Sequence, residues 1–117
     1  MSAQPTTVTE AINATIAVIE QRGWCQDNFE DTTGRVCIRG ALGIAVLGSA
    51  QAILEDYSDT ERQLWTQAAA AIDNHLAGHG WGRHQGKPAM EFNDADGRTV
   101  DEVIAALREI PRTGDAR

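Results

Sequence analysis

The stretch RGWCQDNFEDTTGRVCIRGAL, from Arg22 to Leu42, joins the first predicted helix to the second. It reads as a helix end, Gly-Trp, a variable loop, Phe, an acidic residue or Asn, Asp, two further residues, Gly-Arg and a helix. The later stretch HGWGRHQGKPAMEFNDADGRTVDEVIAAL, from His79 to Leu107, follows the same order. This repeat predicts two helix–loop–helix halves that pack with pseudo-twofold symmetry. The matched pairs are Gly23 and Gly80, Trp24 and Trp81, Phe29 and Phe92, Asp31 and Asp94, Gly34 and Gly97, and Arg35 and Arg98.

Four helices are predicted from capping signals and from apolar residues at helical spacing. Three of them begin with Ser or Thr followed three residues later by Glu, which is the sequence of a capping box. The boxes are Thr7 with Glu10, Ser58 with Glu61, and Thr99 with Glu102. The predicted bounds are Thr7 to Gly23, Val36 to about Asp56, Ser58 to Gly78 or Gly80, and Thr99 to Pro111.

The predicted second helix contains three glycines, Gly40, Gly43 and Gly48. A glycine inside a helix costs about 1 kcal/mol relative to alanine. The glycines therefore predict that another helix packs very closely against this one, and that it is the most buried of the four.

The expected fold class is all-α, a small four-helix domain over residues 7–110 with halves at about 7–56 and 58–110. The polar ends, residues 1–6 and 111–117, are expected to be flexible. Met90 and Phe92 alternate in the segment AMEF, which also allows a short strand. Paired with DNFED around Phe29, that strand would form a minimal two-stranded β-ribbon.

Length, composition and charge narrow the class of protein. The chain has 117 residues, of which 42% are hydrophobic, and this suits one modest core. A net charge of −7 with a single lysine argues against nucleic-acid binding. We expect no membrane helix, no signal peptide and no cofactor. Two cysteines without an export signal favour the cytoplasm, and the short helices leave a homodimer open.

The segment EFNDADGRTVDEV, from Glu91 to Val103, has acidic residues spaced as in a calcium loop. In an EF-hand loop Asp stands first, Gly sixth and a bidentate Glu twelfth. With Gly97 in sixth place, Phe92 is first and Val103 is twelfth. The sequence therefore argues against an EF-hand.

Each repeat is instead predicted to contain a tight turn. Asp and Asn side chains accept hydrogen bonds from backbone N–H groups two residues on, and Gly adopts a positive φ without steric cost. The Phe before each turn is expected to seal the core, and the Arg after it is expected to pair with the turn aspartate. The predicted turn residues are Phe29, Asp31, Gly34, Arg35, Phe92, Asn93, Asp94, Gly97 and Arg98.

Two alternatives assign chemistry to polar residues. In the first, two cysteines and two histidines complete a tetrahedral zinc site, although the cysteines are far apart in the sequence. In the second, a hydrolase or transferase uses an Asp and an Arg in a cleft between the halves. The zinc candidates are Cys25, Cys37, His75 and His79, and the enzyme candidates are Asp31 or Asp94 with Arg35 or Arg98. Cys25 sits in a loop where its thiol could be exposed, but acidic neighbours disfavour its thiolate.

Trp24 and Trp81 stand at the starts of two loops, where they either cover the core or form an exposed surface. The loop around Trp81 adds Arg83, His84 and Lys87, which make a basic cluster in an acidic chain. Because Trp and Arg dominate interface energetics, these five residues are the predicted partner-binding surface.

The motifs RGWCQ, DTTGRVCIRGAL and FNDADGRTVDEVIAALR together resemble a family of short, uncharacterised domains from actinobacteria and their phages. Phe92 stands where that family usually has Trp before Asn-Asp. The resemblance covers residues 8–110 and implies a small intracellular helical protein, without implying an activity or a catalytic residue. The leading hypothesis is a small acidic, non-enzymatic module that binds a protein, for example a phage-encoded modulator of a host factor.

Overall fold

The computed structural model describes residues 5–83 and 86–110, and this part of the chain forms five α-helices. The helices are α1 (Val8–Arg22), α2 (Ile38–Leu47), α3 (Asp59–Gly78), α4 (Pro88–Asn93) and α5 (Val100–Glu109), with a 3₁₀ turn at Leu54–Asp56. Helix α1 packs against α2, α3 and α5, whereas α2 and α3 pack against each other and against α4. The predicted all-α fold is confirmed, with a short extra helix, α4, between the predicted third and fourth.

Three of the four predicted helix starts lie at the observed N-caps, and the second, predicted at Val36, falls one residue before the N-cap Cys37. At Ser58 and Thr99 the hydroxyl accepts from the N–H of the Glu three residues on, and the Glu carboxylate accepts from the cap N–H. At Thr7 the side chain accepts from the Glu10 N–H, while the Glu10 carboxylate accepts from the Thr6 N–H at 2.8 Å. Capping residues in the sequence thus determine where α1, α3 and α5 begin.

The apolar faces of the helices meet in one core. One buried polar group on α1, the Thr15 hydroxyl, donates to the Ala11 carbonyl at 2.7 Å and so needs no other partner. The largest fully buried apolar side chains are Ile12, Ile19, Val36, Ile38, Leu42, Ile72, Val103 and Leu107. None of the described helices has the length and apolarity to cross a bilayer.

The predicted second helix is too long. Helix α2 ends at Leu47, because Gly48 adopts a left-handed conformation with φ +81° and its N–H bonds to the Ile44 carbonyl. The chain then turns through residues 49–53 into the 3₁₀ turn. Gly48 is therefore a C-cap rather than an interior residue.

The predicted β-ribbon is wrong. AMEF lies in α4, with Pro88 at the start of the helix, where proline is well tolerated. The loop around Phe29 forms only isolated bridges, Trp24 with Val36 and Glu30 with Val36, in the described part of the chain. Residues 1–4 and 111–117, most of the predicted flexible ends, lie outside the described residues.

Gly40 and Gly43 do mark close packing, but the neighbour is loop backbone rather than another helix. A Cβ at Gly40 would stand 1.9 Å from the Phe29 carbonyl oxygen. A Cβ at Gly43 would stand 2.5 Å from the Ser49 carbonyl oxygen. Backbone of the loop before α2 and of the loop after it therefore requires glycine at these two positions.

Candidate functional site

Two turn segments connect the long helices and carry most of the predicted site residues. The first turn segment comprises residues 23–37, and the second comprises residues 80–99. Each starts with a left-handed glycine before Trp, with φ +90° at Gly23 and +96° at Gly80. The predicted turn glycines are also left-handed, with φ +91° at Gly34 and +77° at Gly97. The glycine matches of the sequence repeat are thus reproduced in backbone conformation.

The backbone of the first turn segment is fixed by hydrogen bonds. The Cys25 N–H donates to the Val36 carbonyl and the Val36 N–H to the Gly23 carbonyl, both at 3.0 Å. The Cys37 N–H donates to the Phe29 carbonyl at 3.2 Å. These bonds hold Phe29 against α2.

Asp31 organises the turn that follows. Its Oδ1 accepts from the backbone N–H groups of Thr33 and Arg35, both at 2.9 Å, and the Arg35 Nε donates to Oδ2 at 2.7 Å. The predicted Asp31–Arg35 pair is therefore confirmed. Partial desolvation raises the pKa of Asp31, but the hydrogen bonds from Thr33 and Arg35 outweigh it and lower the pKa to about 2.

Phe29 does not seal the core, contrary to the prediction. Its side chain is 42% exposed, whereas its counterpart Phe92 is 7% exposed. The carbonyl of Phe29 faces α2 at Gly40, so the ring projects outward from a rigid backbone. The difference follows from α4, which carries Phe92 inward and has no counterpart in the first turn segment.

Asn93 connects the two turn segments, a role that its sequence position does not indicate. It is 1% exposed, and its Oδ1 accepts from the Trp24 indole N–H at 2.7 Å and the Ile38 N–H at 3.1 Å. Its Nδ2 donates to the Cys25 carbonyl at 3.2 Å. The prediction that Asn93 acts within its own turn misses this role, since the side chain satisfies buried groups of the other half.

The predicted pair of Asp94 with Arg98 is wrong. Asp94 Oδ1 accepts from the Asp27 N–H and from the Asn93 side chain, both at 2.9 Å. Arg98 Nε donates to the Phe92 carbonyl at 2.9 Å, and its guanidinium lies 3.8 Å from the centre of the Phe92 ring. Phe92 offers Arg98 both a carbonyl acceptor and a ring face, so the arginine turns away from Asp94.

A cleft of about 230 Å³ opens beside the exposed Phe29 ring, and we call it the Phe29 cleft. It lies where the first turn segment meets α2 and α4. Its lining includes the apolar side chains of Phe29 and Met90 and the acidic residues Asp27 and Asp94. The residues that line it are Asp27, Asn28, Phe29, Cys37, Arg39, Gln51, Ala89, Met90, Asn93 and Asp94.

Arg39 and Asp73 fix one wall of this cleft. Arg39 Nη2 donates to Asp73 Oδ2 at 2.6 Å, and Asp73 Oδ1 accepts from the Ala89 N–H at the start of α4. The Arg39 guanidinium lies 5.4 Å from the centre of the half-buried Trp65 ring. Its Nε is buried and has no acceptor among the described residues. The Asp73 carboxylate therefore balances the Arg39 charge, and the net charge of the cleft comes from Asp27 and Asp94.

The two cysteines are buried and free. The loop exposure suggested for Cys25 is wrong, since its Sγ lies 3.3 Å from the Arg35 carbonyl and 3.4 Å from that of Asn28. Cys37 is the N-cap of α2, and its Sγ accepts from the Gly40 N–H at 3.3 Å. Burial is the main reason why the pKa of each thiol is raised, so both stay protonated near neutral pH.

The zinc and enzyme constellations do not assemble as expected. Of the four zinc candidates the structure brings together His75 and His79, whose ring centres are 4.8 Å apart, and neither cysteine joins them. Asp94 lines the Phe29 cleft, Arg98 lines a cleft at the ends of α3 and α5, and Asp31 and Arg35 lie in a third notch. Asp31 and Arg35 stay together, but the residues that line their notch all belong to the first turn segment, so the notch does not lie between the halves.

The predicted Trp surface has mixed exposure. Trp24 and Trp81 are half-buried and pack against the core, and Trp81 meets Phe92 edge to face at 5.4 Å between ring centres. Arg83 and Lys87 are exposed, and His84 lies outside the described residues. Of the two roles predicted for these rings, the structure shows that they cover the core.

Residues 3–112 match the model of a family of unknown function, DUF6197. Because this match spans nearly the whole chain, the protein belongs to that family. Comparisons with curated proteins and with solved structures found no match. The family assignment agrees with the resemblance to an uncharacterised family and brings no activity with it.

Proposed function

We propose that this protein is a non-enzymatic binding module whose Phe29 cleft takes a basic, partly apolar segment of another protein. The observation that carries the proposal is the 42% exposure of Phe29 on a rigid turn beside a cleft. A large aromatic side chain held in place loses little conformational entropy when a partner covers it. Such rings are common anchors of protein interfaces.

The chemistry of the cleft supports a particular kind of partner. Phe29 and Met90 provide apolar contact, and methionine adapts its shape to different side chains. Asp27 and Asp94 provide negative charge at the same opening. The net charge of −7 adds long-range attraction for a basic partner. We therefore propose a segment with one large apolar side chain and an adjacent Lys or Arg.

The setting of the proposal is the cytoplasm, which the two free cysteines support. One specific version of the proposal is a phage-encoded modulator of a host factor, which is supported by the motif resemblance alone. The surface predicted from the sequence, made of Trp24, Trp81, Arg83, His84 and Lys87, stays the alternative surface.

Peptide display on the immobilised full chain, followed by fluorescence anisotropy with the selected peptides, tests the proposal. We expect selected peptides to contain an aromatic or large aliphatic residue next to Lys or Arg. Phe29→Ala should weaken their binding by at least about tenfold, as loss of an interface anchor does. Ile53→Ala is the matched control, since Ile53 is 61% exposed and does not line the cleft.

A second pair of variants tests how much the negative charge of the cleft contributes to binding. Asp27 has φ +71°, a conformation that Asn also tolerates, so Asp27→Asn removes charge without straining the turn. It should weaken binding severalfold and reduce the salt dependence, whereas Asp96→Asn should do neither. Peptides that bind Phe29→Ala as well as they bind the natural chain would refute the proposal. Loss of binding only in Arg83→Ala or Lys87→Ala would instead assign binding to the alternative surface around Trp81.

A further inference from the structure

The last turns of α3 and α5 place three potential metal ligands together, outside the Phe29 cleft. His75 lies in the last turn of α3, His79 is its C-cap, and Glu109 is the last residue of α5. One ligand atom from each lies within 4.8 Å of the others. We propose that His75, His79 and Glu109 bind one divalent cation of the zinc class.

The sequence spacing of the histidines suits this role. Residues four apart lie on the same face of a helix, and a His pair at that spacing is a frequent metal-binding element. The ring centres of His75 and His79 are 4.8 Å apart. Two imidazoles and a carboxylate form a donor set that zinc accepts, with a fourth position open to water or another ligand.

The geometry is close to what a metal needs. Zinc–ligand bonds of about 2.0–2.1 Å imply ligand atoms roughly 3.4 Å apart in a tetrahedral site. His75 Nε2 is 3.8 Å from Glu109 Oε1, with the His75 side chain 14% exposed and that of Glu109 65% exposed. His75 is therefore the fixed ligand, and rotation of the more exposed His79 and Glu109 can close the remaining distance.

The electrostatics of the site also favour a cation. The carboxyl ends of α3 and α5 converge here, and helix C-termini carry partial negative charge. Arg98 lines the same cleft, but its guanidinium stacks on the Phe92 and Trp81 rings and lies 3.6 Å from the Glu102 carboxylate. Glu102 offsets that positive charge, so Glu109 keeps its own charge for the metal.

Isothermal titration of the chelator-treated full chain with Zn²⁺ tests the site. We expect one equivalent to bind, and His79→Ala and Glu109→Gln each to weaken binding by about tenfold or more, as loss of a ligand should. Both residues are exposed in the structure, so the metal-free variants should keep the melting temperature of the natural chain. Zn²⁺ should raise that temperature in the natural chain and much less in the variants.

Matched controls make the result specific. Glu55→Gln removes an exposed carboxylate elsewhere, and His84→Ala removes the third histidine of the chain. Neither should change Zn²⁺ affinity. Co²⁺ should give visible bands typical of nitrogen and oxygen ligands, without a thiolate charge-transfer band. No binding, binding unchanged in both ligand variants, loss of binding in His84→Ala, or a thiolate band would overturn the proposal.

Discussion

The first and second turn segments place equivalent residues in opposite environments, although their matched glycines all have positive φ. Phe29 is exposed and Phe92 is buried. Glu30 pairs with Arg22 at the surface, whereas the equivalent Asn93 is enclosed among groups of the other half. A repeated turn sequence can therefore give the same positive-φ glycines, while the intervening backbone and the packing give the matched side chains different roles.

The largest expected effect separates the two phenylalanines. Phe92→Ala should lower the free energy of unfolding by about 3–5 kcal/mol, because it leaves a cavity between the core and the Arg98 guanidinium. Phe29→Ala should cost less than about 1 kcal/mol, since the ring is 42% exposed. Urea denaturation followed by circular dichroism measures both. Equal losses would mean that the two rings are equally buried in solution.

The second comparison is between Asn93 and Glu30, which occupy equivalent positions in the two turn segments. Asn93→Ala should lower the free energy of unfolding by about 3 kcal/mol. It leaves the N–H groups of Trp24 and Ile38 and the carbonyl of Cys25 without their hydrogen-bond partner. Glu30→Ala should cost less than about 1 kcal/mol, since it removes one exposed ion pair. Tryptophan fluorescence should shift in Asn93→Ala, because the Trp24 indole loses its acceptor. A small loss of stability without that shift would contradict the connecting role of Asn93.

The third comparison tests whether α2 holds the first turn segment in place. Gly40→Ala should destabilise the protein by about 1–3 kcal/mol, because the new methyl would clash with the Phe29 carbonyl. Gly78, at the end of α3, has open space where a methyl group would stand. Gly78→Ala should therefore be neutral or stabilising by up to about 1 kcal/mol. Thermal melts of the two variants should move in opposite directions, and a matching decrease in both would contradict the close contact at Gly40.

The smallest expected effect is on the stability of the protein at low pH. The pKa of Asp31 is about 2 in the folded chain, below its ordinary value of 3.8. Its contribution to stability is therefore present above that ordinary value and is lost as the pH falls through about 2. Asp31→Asn should reduce the pH dependence of unfolding between these values. Asp96→Asn is the exposed control, and an unchanged profile in Asp31→Asn would rule out the lowered pKa.

Local signals in the sequence predict much of the fold. Ser58 and Thr99 start helices because their hydroxyls satisfy free N–H groups of the first turn. Gly34 and Gly97 occupy left-handed positions because a side chain would be strained there. Asp31 and Arg35 pair because they are close in the chain, and the sequence predicts this local pair correctly.

Two of the errors come from contacts that the sequence pattern does not show. The sequence predicts a helix as the neighbour of Gly40, but the Phe29 carbonyl occupies that place. Analogy with the first repeat pairs Asp94 with Arg98, yet a backbone N–H and an aromatic ring bind them instead. Sequence spacing does not predict that the Asp27 N–H donates to Asp94, because these residues become neighbours only when the halves pack together. It also does not show which nearby groups bind Arg98.

The all-α class, the starts of α1, α3 and α5, and the glycine turns are encoded locally, because capping and backbone strain act over a few residues. Packing of the whole chain was needed to expose Phe29 beside a cleft, to enclose Asn93 between the halves, and to bring Glu109 to His75 and His79. These features depend on which helix faces pack together, and burial of apolar surface over the whole chain sets that arrangement.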